Sequence, residues 1–224
     1  MCGRFALSAK TKQIEKLVNG LKSEVEVTPR YNIAPSQNIL SVLNTKSTSI
    51  QYIKWGLIPF WSKDEKIGSK LINARIETLQ EKPSFRYSLK SKRCIIFADG
   101  FYEWDKNSSN KKLPYFISLK SQEPFAFAGL WDSWKNSDDI VIQSGTIITT
   151  KANELMNGIH SRMPVILQND MILEWLSNEK FDMKLIEKLM EPYSSDKMEM
   201  HRVSTMVNNP VNDNPSCTNR FNEN

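Results

Sequence analysis

Cysteine and histidine are scarce in this 224-residue chain: Cys2, Cys94 and Cys217 are its three cysteines, and His160 and His201 its two histidines. Three cysteines are too few and too odd in number for a secreted disulfide framework, and no CxxC pair is present to hold zinc. Two histidines argue against a His-rich metal site, so neither a metal nor a cofactor is expected. There is no run of about 18 apolar residues to span a bilayer. The opening MCGRFALSAKTKQ has no charged-then-apolar signal pattern, so the expected location is cytoplasmic, with no membrane partner. Internal repeats, low-complexity linkers and shifts in composition are also absent, which favours one domain. With 40% hydrophobic and 25% charged residues the chain reads as globular. A chain of this length buries roughly 70% of its unfolded surface, so its core needs no disulfide or metal, and cysteine and histidine are left for chemistry.

Charge is present, and unevenly placed. The whole chain carries 30 basic and 25 acidic residues. Between Lys54 and Arg93 ten cations (54, 63, 66, 70, 75, 82, 86, 90, 92, 93) face four acids (64, 65, 77, 81), an excess larger than that of the entire chain. The end of this stretch, KPSFRYSLKSKR, holds five cations and no acid, with Phe85 and Tyr87 between them. Cations reach phosphates and aromatic faces stack on bases, so the stretch reads either as a nucleic-acid surface or as a solvated loop.

Ile14, Leu17, Val18 and Leu21 fall at helical spacing ahead of the stop signal Gly20, predicting a short helix over about residues 10–20. TPRYNIAPSQNI, with two prolines, reads as an irregular connector. Runs rich in Ile, Val, Phe and Tyr predict strands at 39–43, 49–57, 93–98, 114–119, 125–131 and 140–150, with a further strand-like run at 164–167. Two packing helices are predicted at 169–177 and 183–191. Strands outnumber the helices between them, so the expected fold is α+β, with a curled, barrel-like, mostly antiparallel sheet and peripheral helices.

Cys2 follows the initiator methionine directly. Removal of Met1 would put an α-amine titrating near ~7.7–8.0 and a thiol near ~8.5 on one residue, both far more available at neutral pH than a lysine near ~10.4. Such a 1,2-aminothiol condenses with an aldehyde to an imine, and the thiol then closes a five-membered thiazolidine. Alone, Cys2 reads first as merely a small residue in second place. Four polar segments stand out beside it. LINARIET offers Asn73, Arg75 and Glu77, and FADGFYEW sets Glu103 between Tyr102 and Trp104, where aromatic surroundings would desolvate a carboxylate into a working base. NGIHSRMP gives His160 close to Arg162, and VTPRYNIAPSQ adds Asn32 and Pro35. Singly, each also reads as turn chemistry or a satisfied core group.

Taken together, MCGRF at the first position, RYNIAPSQ, WGLIPFW, LINARIET, EKPSFR, CIIFADGFYEW, the IITT ahead of NGIHSRMP, and VSTMVNNPVND resemble the SOS response-associated peptidase (SRAP) family of abasic-site processing proteins. The blocks occur in the same order from Met1 to about residue 215, so the resemblance is near whole-chain. It implies one compact α+β domain over 1–217 around a barrel-like core with a positively charged DNA groove, followed by a frayed tail over 218–224. The implied activity is a DNA-damage response: Cys2, freed of Met1, captures the ring-opened aldehyde of an abasic site in single-stranded DNA as a thiazolidine crosslink that protects the strand from cleavage. The implied catalytic set is Cys2, Asn73 to hold the N-terminal residue and the opened sugar, Glu103 to take a proton from the α-amine, and His160 to exchange protons with the deoxyribose oxygen. The resemblance assigns Arg4, Arg75 and Arg162 to phosphates, Phe60 and Trp61 to base stacking, and Pro35 and Thr149 to the groove wall. It further implies self-removal of Met1, to which the word peptidase refers, a secondary lyase activity, and a monomer that joins the nucleoid when bound to DNA. Two other classes fit parts of the pattern: an N-terminal-nucleophile peptidase or amidohydrolase with His160 as base to Cys2, and a non-catalytic single-strand binding module.

Overall fold

The computed structural model describes residues 2–46, 48–105, 113–178 and 182–221; Met1 and the end of the expected tail lie outside them. The strands are β1 (Phe5–Leu7), β2 (Arg30–Ile33), β3 (Asn38–Leu43), β4 (Ile50–Trp55), β5 (Asn73–Arg75), β6 (Arg93–Ala98), β7 (Gly100–Asp105), β8 (Leu113–Leu119), β9 (Phe125–Lys135), β10 (Val141–Lys151), β11 (Arg162–Pro164), β12 (Ile166–Leu167) and β13 (Met198–Arg202). The helices are α1 (Thr11–Leu17), α2 (Arg86–Ser91), α3 (Glu154–Asn157), α4 (Asn169–Leu176) and α5 (Met183–Met190).

Strands β4, β3, β6, β9 and β10 are hydrogen-bonded in that order, and β10 pairs with β4 as well as with β9, so five strands close into a barrel. All its pairings are antiparallel except β10 with β4. A second sheet, β13-β8-β7-β1-β2, is antiparallel throughout. The chain passes from barrel to second sheet at Asp99, between β6 and β7. Gly100 is needed there, since a Cβ would meet the Phe116 ring at 2.3 Å and the Ile117 carbonyl at 2.7 Å. The α+β architecture with a mostly antiparallel, barrel-like core is therefore as expected.

The apolar faces of both sheets meet around Phe5. Its ring lies 5.1 Å from that of Trp55 and 5.8 Å from that of Phe127, edge-on in each case, and Phe101 and Phe125 extend the cluster. Edge-to-face aromatic contacts of this kind add to area burial. Because Phe5 is anchored there, the residues just before it are drawn to the seam between the barrel and the second sheet.

Some expectations need correction. Arg30–Ile33, read as an irregular connector, is strand β2 at the edge of the second sheet. Prolines 29 and 35 flank the strand without interrupting it, which an edge position tolerates. Arg93, counted among the groove cations, is buried; its guanidinium donates to the carbonyls of Leu89, Lys90, Trp175 and Ser177 at the ends of α2 and α4. Phe85 is buried too, leaving Tyr87 as the exposed aromatic of that stretch. At the other end, Thr218–Phe221 are tied down by a bridge between Val203 and Arg220 and by Phe221 N–H donating to Arg202 O at 2.8 Å. Among the described residues no helix is long and apolar enough to cross a membrane.

Candidate active site

Strand β10 runs on past the end of its pairing with β9, and that far end builds the site. Beyond Ile147 it leaves β9 and is flanked by β5, in parallel register Ile147↔Asn73 and Thr149↔Arg75, and by β11, with Thr149↔Pro164 and Lys151↔Arg162. The loop before β5 is pinned along the barrel by three hydrogen bonds. These run from Gly56 N–H to Gly145 O (2.8 Å), Leu57 N–H to Leu71 O (3.1 Å) and Ile58 N–H to Ser144 Oγ (2.8 Å). Gly56 has φ +122°, and a Cβ there would lie 2.5 Å from the Gly68 carbonyl, so the turn demands glycine.

Cys2 is fully buried. Its carbonyl accepts from Asn73 Nδ2 at 2.7 Å, and its Sγ donates to Arg4 O at 3.7 Å. Tyr102 N–H donates to Arg4 O at 2.9 Å, continuing the β1–β7 ladder toward the N-terminus and laying Glu103 alongside it. Burial pushes the Cys2 thiol well above the usual thiol range, and the negative charge of Glu103 pushes it further. Asn73 Oδ1 is buried with no hydrogen-bond partner among the described residues, leaving an acceptor next to Cys2.

His160, half-buried, follows α3. Arg162 N–H donates to its Nδ1 at 3.0 Å, and the same nitrogen lies 3.2 Å from Arg162 O. Nδ1 is then the acceptor of the neutral ring, with the proton on Nε2; in the charged ring Nδ1–H faces the Arg162 carbonyl. The Arg162 guanidinium donates to both carboxylate oxygens of Glu77 (2.6 and 2.9 Å) and to Thr149 O at 2.6 Å.

Cys2, Asn73 and Glu103 thus converge, and His160 and Arg162 gather at β11, across β10 from the Asn73 strand. Thr149 is buried in β10, and its Oγ1 lies 3.5 Å from Ala74 O. Pro35 is half-buried in the turn after β2. Arg75 is exposed, with no hydrogen bond from its side chain to any described residue. Arg4 is committed elsewhere: its Nη1 donates to Asn32 Oδ1 and Val207 O, both at 2.7 Å, and its guanidinium lies 5.9 Å from the Trp104 ring centroid. Burial also lowers the Arg4 pKa.

Phe60 and Trp61 are 55% and 45% exposed. Phe60 meets Tyr87 edge-on at 6.2 Å; Lys92 lies 5.8 Å over Phe60, and Arg86 lies 4.9 Å over Tyr87. Lys92 is fixed by Asp132 at 2.5 Å, and Asp132 also accepts from Phe60 N–H. Tyr87 and Lys92 lay within the basic stretch, but nothing in the sequence placed them against Phe60.

Sequence reading also missed the structural role of RYN and VNNPVND. Buried Asn32 donates to the carbonyls of Val207, Asn209 and Asn212, and Asp213 accepts from the main-chain N–H groups of Tyr31 and Asn32 and pairs with Arg30. The late segment clamps β2 and, through Arg4, the N-terminal strand. A recurring Asn/Asp pattern was the only signal, and it does not name its partner.

The fold and site define a barrel protein whose buried, near-terminal cysteine meets an amide and a carboxylate. Residues 1–210 match the model of the SOS response associated peptidase (SRAP) family, and the chain belongs to that family. It is 50% identical over 218 residues to the abasic site processing protein YoqW of Bacillus subtilis, covering 96% of this chain and 97% of that one. Identity to the abasic site processing protein HMCES of Xenopus tropicalis is 34% over 222 residues, spanning 84% of this chain and 65% of the relative. A crystal structure of a protein from Bacteroides thetaiotaomicron superposes with a TM-score of 0.88 at 29% identity, over 98% of this chain and 100% of the other.

Proposed function

We propose that this protein acts on abasic sites in single-stranded DNA by covalent capture through Cys2 after loss of Met1. The supporting observation is the setting of Cys2, whose carbonyl is held by Asn73 at 2.7 Å and whose buried thiol lies within reach of the Glu103 charge. The names of the relatives, abasic site processing proteins, support the substrate.

In this reading Glu103 accepts a proton from the α-ammonium, and the freed amine adds to the aldehyde carbon of the opened sugar. His160 relays protons from the nitrogen to the oxygen; the two that the nitrogen loses leave with that oxygen as water, and an imine remains. The Cys2 Sγ then adds to the same carbon, its proton passing to nitrogen, and the thiazolidine closes; one water is lost overall. Burial keeps the thiol neutral at first, which favours the amine as first nucleophile. The imine acidifies the neighbouring carbon, so strand cleavage by β-elimination is a minor accompanying activity. Arg75 is the phosphate contact and Phe60 and Trp61 stack on bases, with Pro35 and Thr149 as walls and Arg4 and Arg162 as scaffold.

Cys2→Ala should abolish the heat-stable adduct with abasic single-stranded oligonucleotide while leaving an imine that borohydride traps. An adduct that survives heating in Cys2→Ala without reductant would refute the thiazolidine.

A further inference from the structure

Two segments carry the chemistry proposed above, and one ion pair joins them. Asn73, which holds Cys2, belongs to β5; Glu77 follows in the 3-10 turn Ile76–Thr78 directly after that strand. His160 belongs to the loop ahead of β11, and Arg162 is the first residue of that strand. The Arg162 guanidinium grips both oxygens of Glu77, at 2.6 and 2.9 Å, and its Nη2 also donates to Thr149 O on the intervening strand β10. Meanwhile Arg162 N–H donates to His160 Nδ1 at 3.0 Å. The Arg162 side chain is 15% exposed, against 44% for Glu77, so the fork is largely shielded and the carboxylate caps it from outside.

Burial tends to raise the Glu77 carboxyl, but hydrogen bonds from Arg162 and the main chain, with the charges of Arg162 and Arg75, outweigh it and hold the group below the usual carboxylate range. Two parallel N–H to oxygen bonds fix orientation as well as distance. With its guanidinium held on both sides, the main chain of Arg162 has little freedom to move away from the imidazole it orients.

We propose that Glu77 is a positioning residue: by locking Arg162 it fixes the tautomer and orientation of His160 relative to the Asn73–Cys2 contact. This deepens the reading of the site given above and rests on it for its consequence, though not for its geometry. Glu77 touches neither Cys2 nor the reacting carbon; it acts through Arg162. A point charge cannot replace the fork, so Arg162→Lys should fail as Glu77→Gln does.

Two measurements test it. The first needs no DNA: nitrogen-15 spectra of the two histidines, with His201, which faces Thr218 O at 2.8 Å on β13, as internal control. The wild type should show His160 in a single neutral tautomer with the proton on Nε2; Glu77→Gln and Arg162→Lys should each return it to the mixture of free imidazole, with His201 unmoved and Glu77→Asp intermediate. The second is the single-turnover rate of adduct formation with saturating abasic single-stranded oligonucleotide. Each single variant should slow it about tenfold, and the double variant should be no slower than Arg162→Lys alone, the non-additivity expected of groups acting as one unit. Affinity for undamaged single strand should stay within about threefold, the scale of one changed exposed charge. An unchanged His160 signature in both variants would overturn the proposal, as would additive losses, or a tenfold gain in affinity with the rate retained, which would make Arg162 a masked phosphate contact. If the wild type formed no adduct, the reading of the function would fail while the spectra still decided the role of Glu77.

Discussion

At Arg93 the guanidinium faces the carbonyls of Leu89, Lys90, Trp175 and Ser177 inside the molecule, whereas the Arg75 side chain stands in solvent at the end of the strand that carries Asn73. Both belong to the same basic stretch, and composition cannot separate them because charge is visible in a sequence and its partner is not. The consequences differ. Arg93→Ala should lower unfolding free energy by about 3 kcal/mol, since buried carbonyls at two helix ends lose a charged donor, and should leave the salt dependence of DNA binding intact. Arg75→Ala should leave stability nearly unchanged and reduce the slope of log affinity against log salt by about 0.7, the contribution of one phosphate contact on a single strand. Urea denaturation and binding titrations at several salt concentrations check both. The same holds for Arg4 and Arg162, whose motifs are legible while the Asn32, Val207 and Glu77 groups that hold them are not. The contact between Asn73 and Cys2 was no more legible, since their segments lie 71 residues apart and only the fold brings them together.

Among the elements, long runs of β-branched and aromatic residues made β3, β6, β9 and β10 readable, and the helical spacing of Leu185, Ile186 and Leu189 made α5 so. The short strands escaped. β5 is three residues long and exists because β10 runs on past β9 and offers it an open edge, which no local pattern encodes. β2 lies between two prolines and owes its pairing to β1 and to the Asp213 clamp. These two short elements hold Asn73 and the N-terminal strand, so the parts of the fold least visible in the sequence are those that position the reagent. Barrel closure through β10 likewise depends on pairing between distant segments and follows from topology alone.

For the molecule as a whole, burial of thiols links stability to pH. Burial raises both Cys2 and Cys94 above the ordinary thiol range, so the fold favours their neutral forms. The unfolded chain loses these protons first as pH rises, so their contribution is complete below about 8.5 and is lost above it, at about 1.4 kcal/mol per pH unit for each thiol. Urea midpoints should therefore fall steeply between about pH 8.5 and 10, and Cys94→Ala should be less stable at neutral pH but show roughly half the decline, one of the two thiols being gone. A flat profile across that range would contradict the burial of both. Asn32 reaching the carbonyls of the late segment, and Asp213 of that segment accepting from Tyr31 and Asn32, join the two ends of the chain into one unit.

The central claim is that Cys2, with a free α-amine, is the reagent. Intact mass of the protein before and after incubation with an abasic single-stranded oligonucleotide tests it most directly. The account predicts a protein one methionine lighter than the encoded chain, which then gains the mass of the oligonucleotide less one water. An adduct on protein that retains Met1, or no adduct on protein that has lost it, would contradict it.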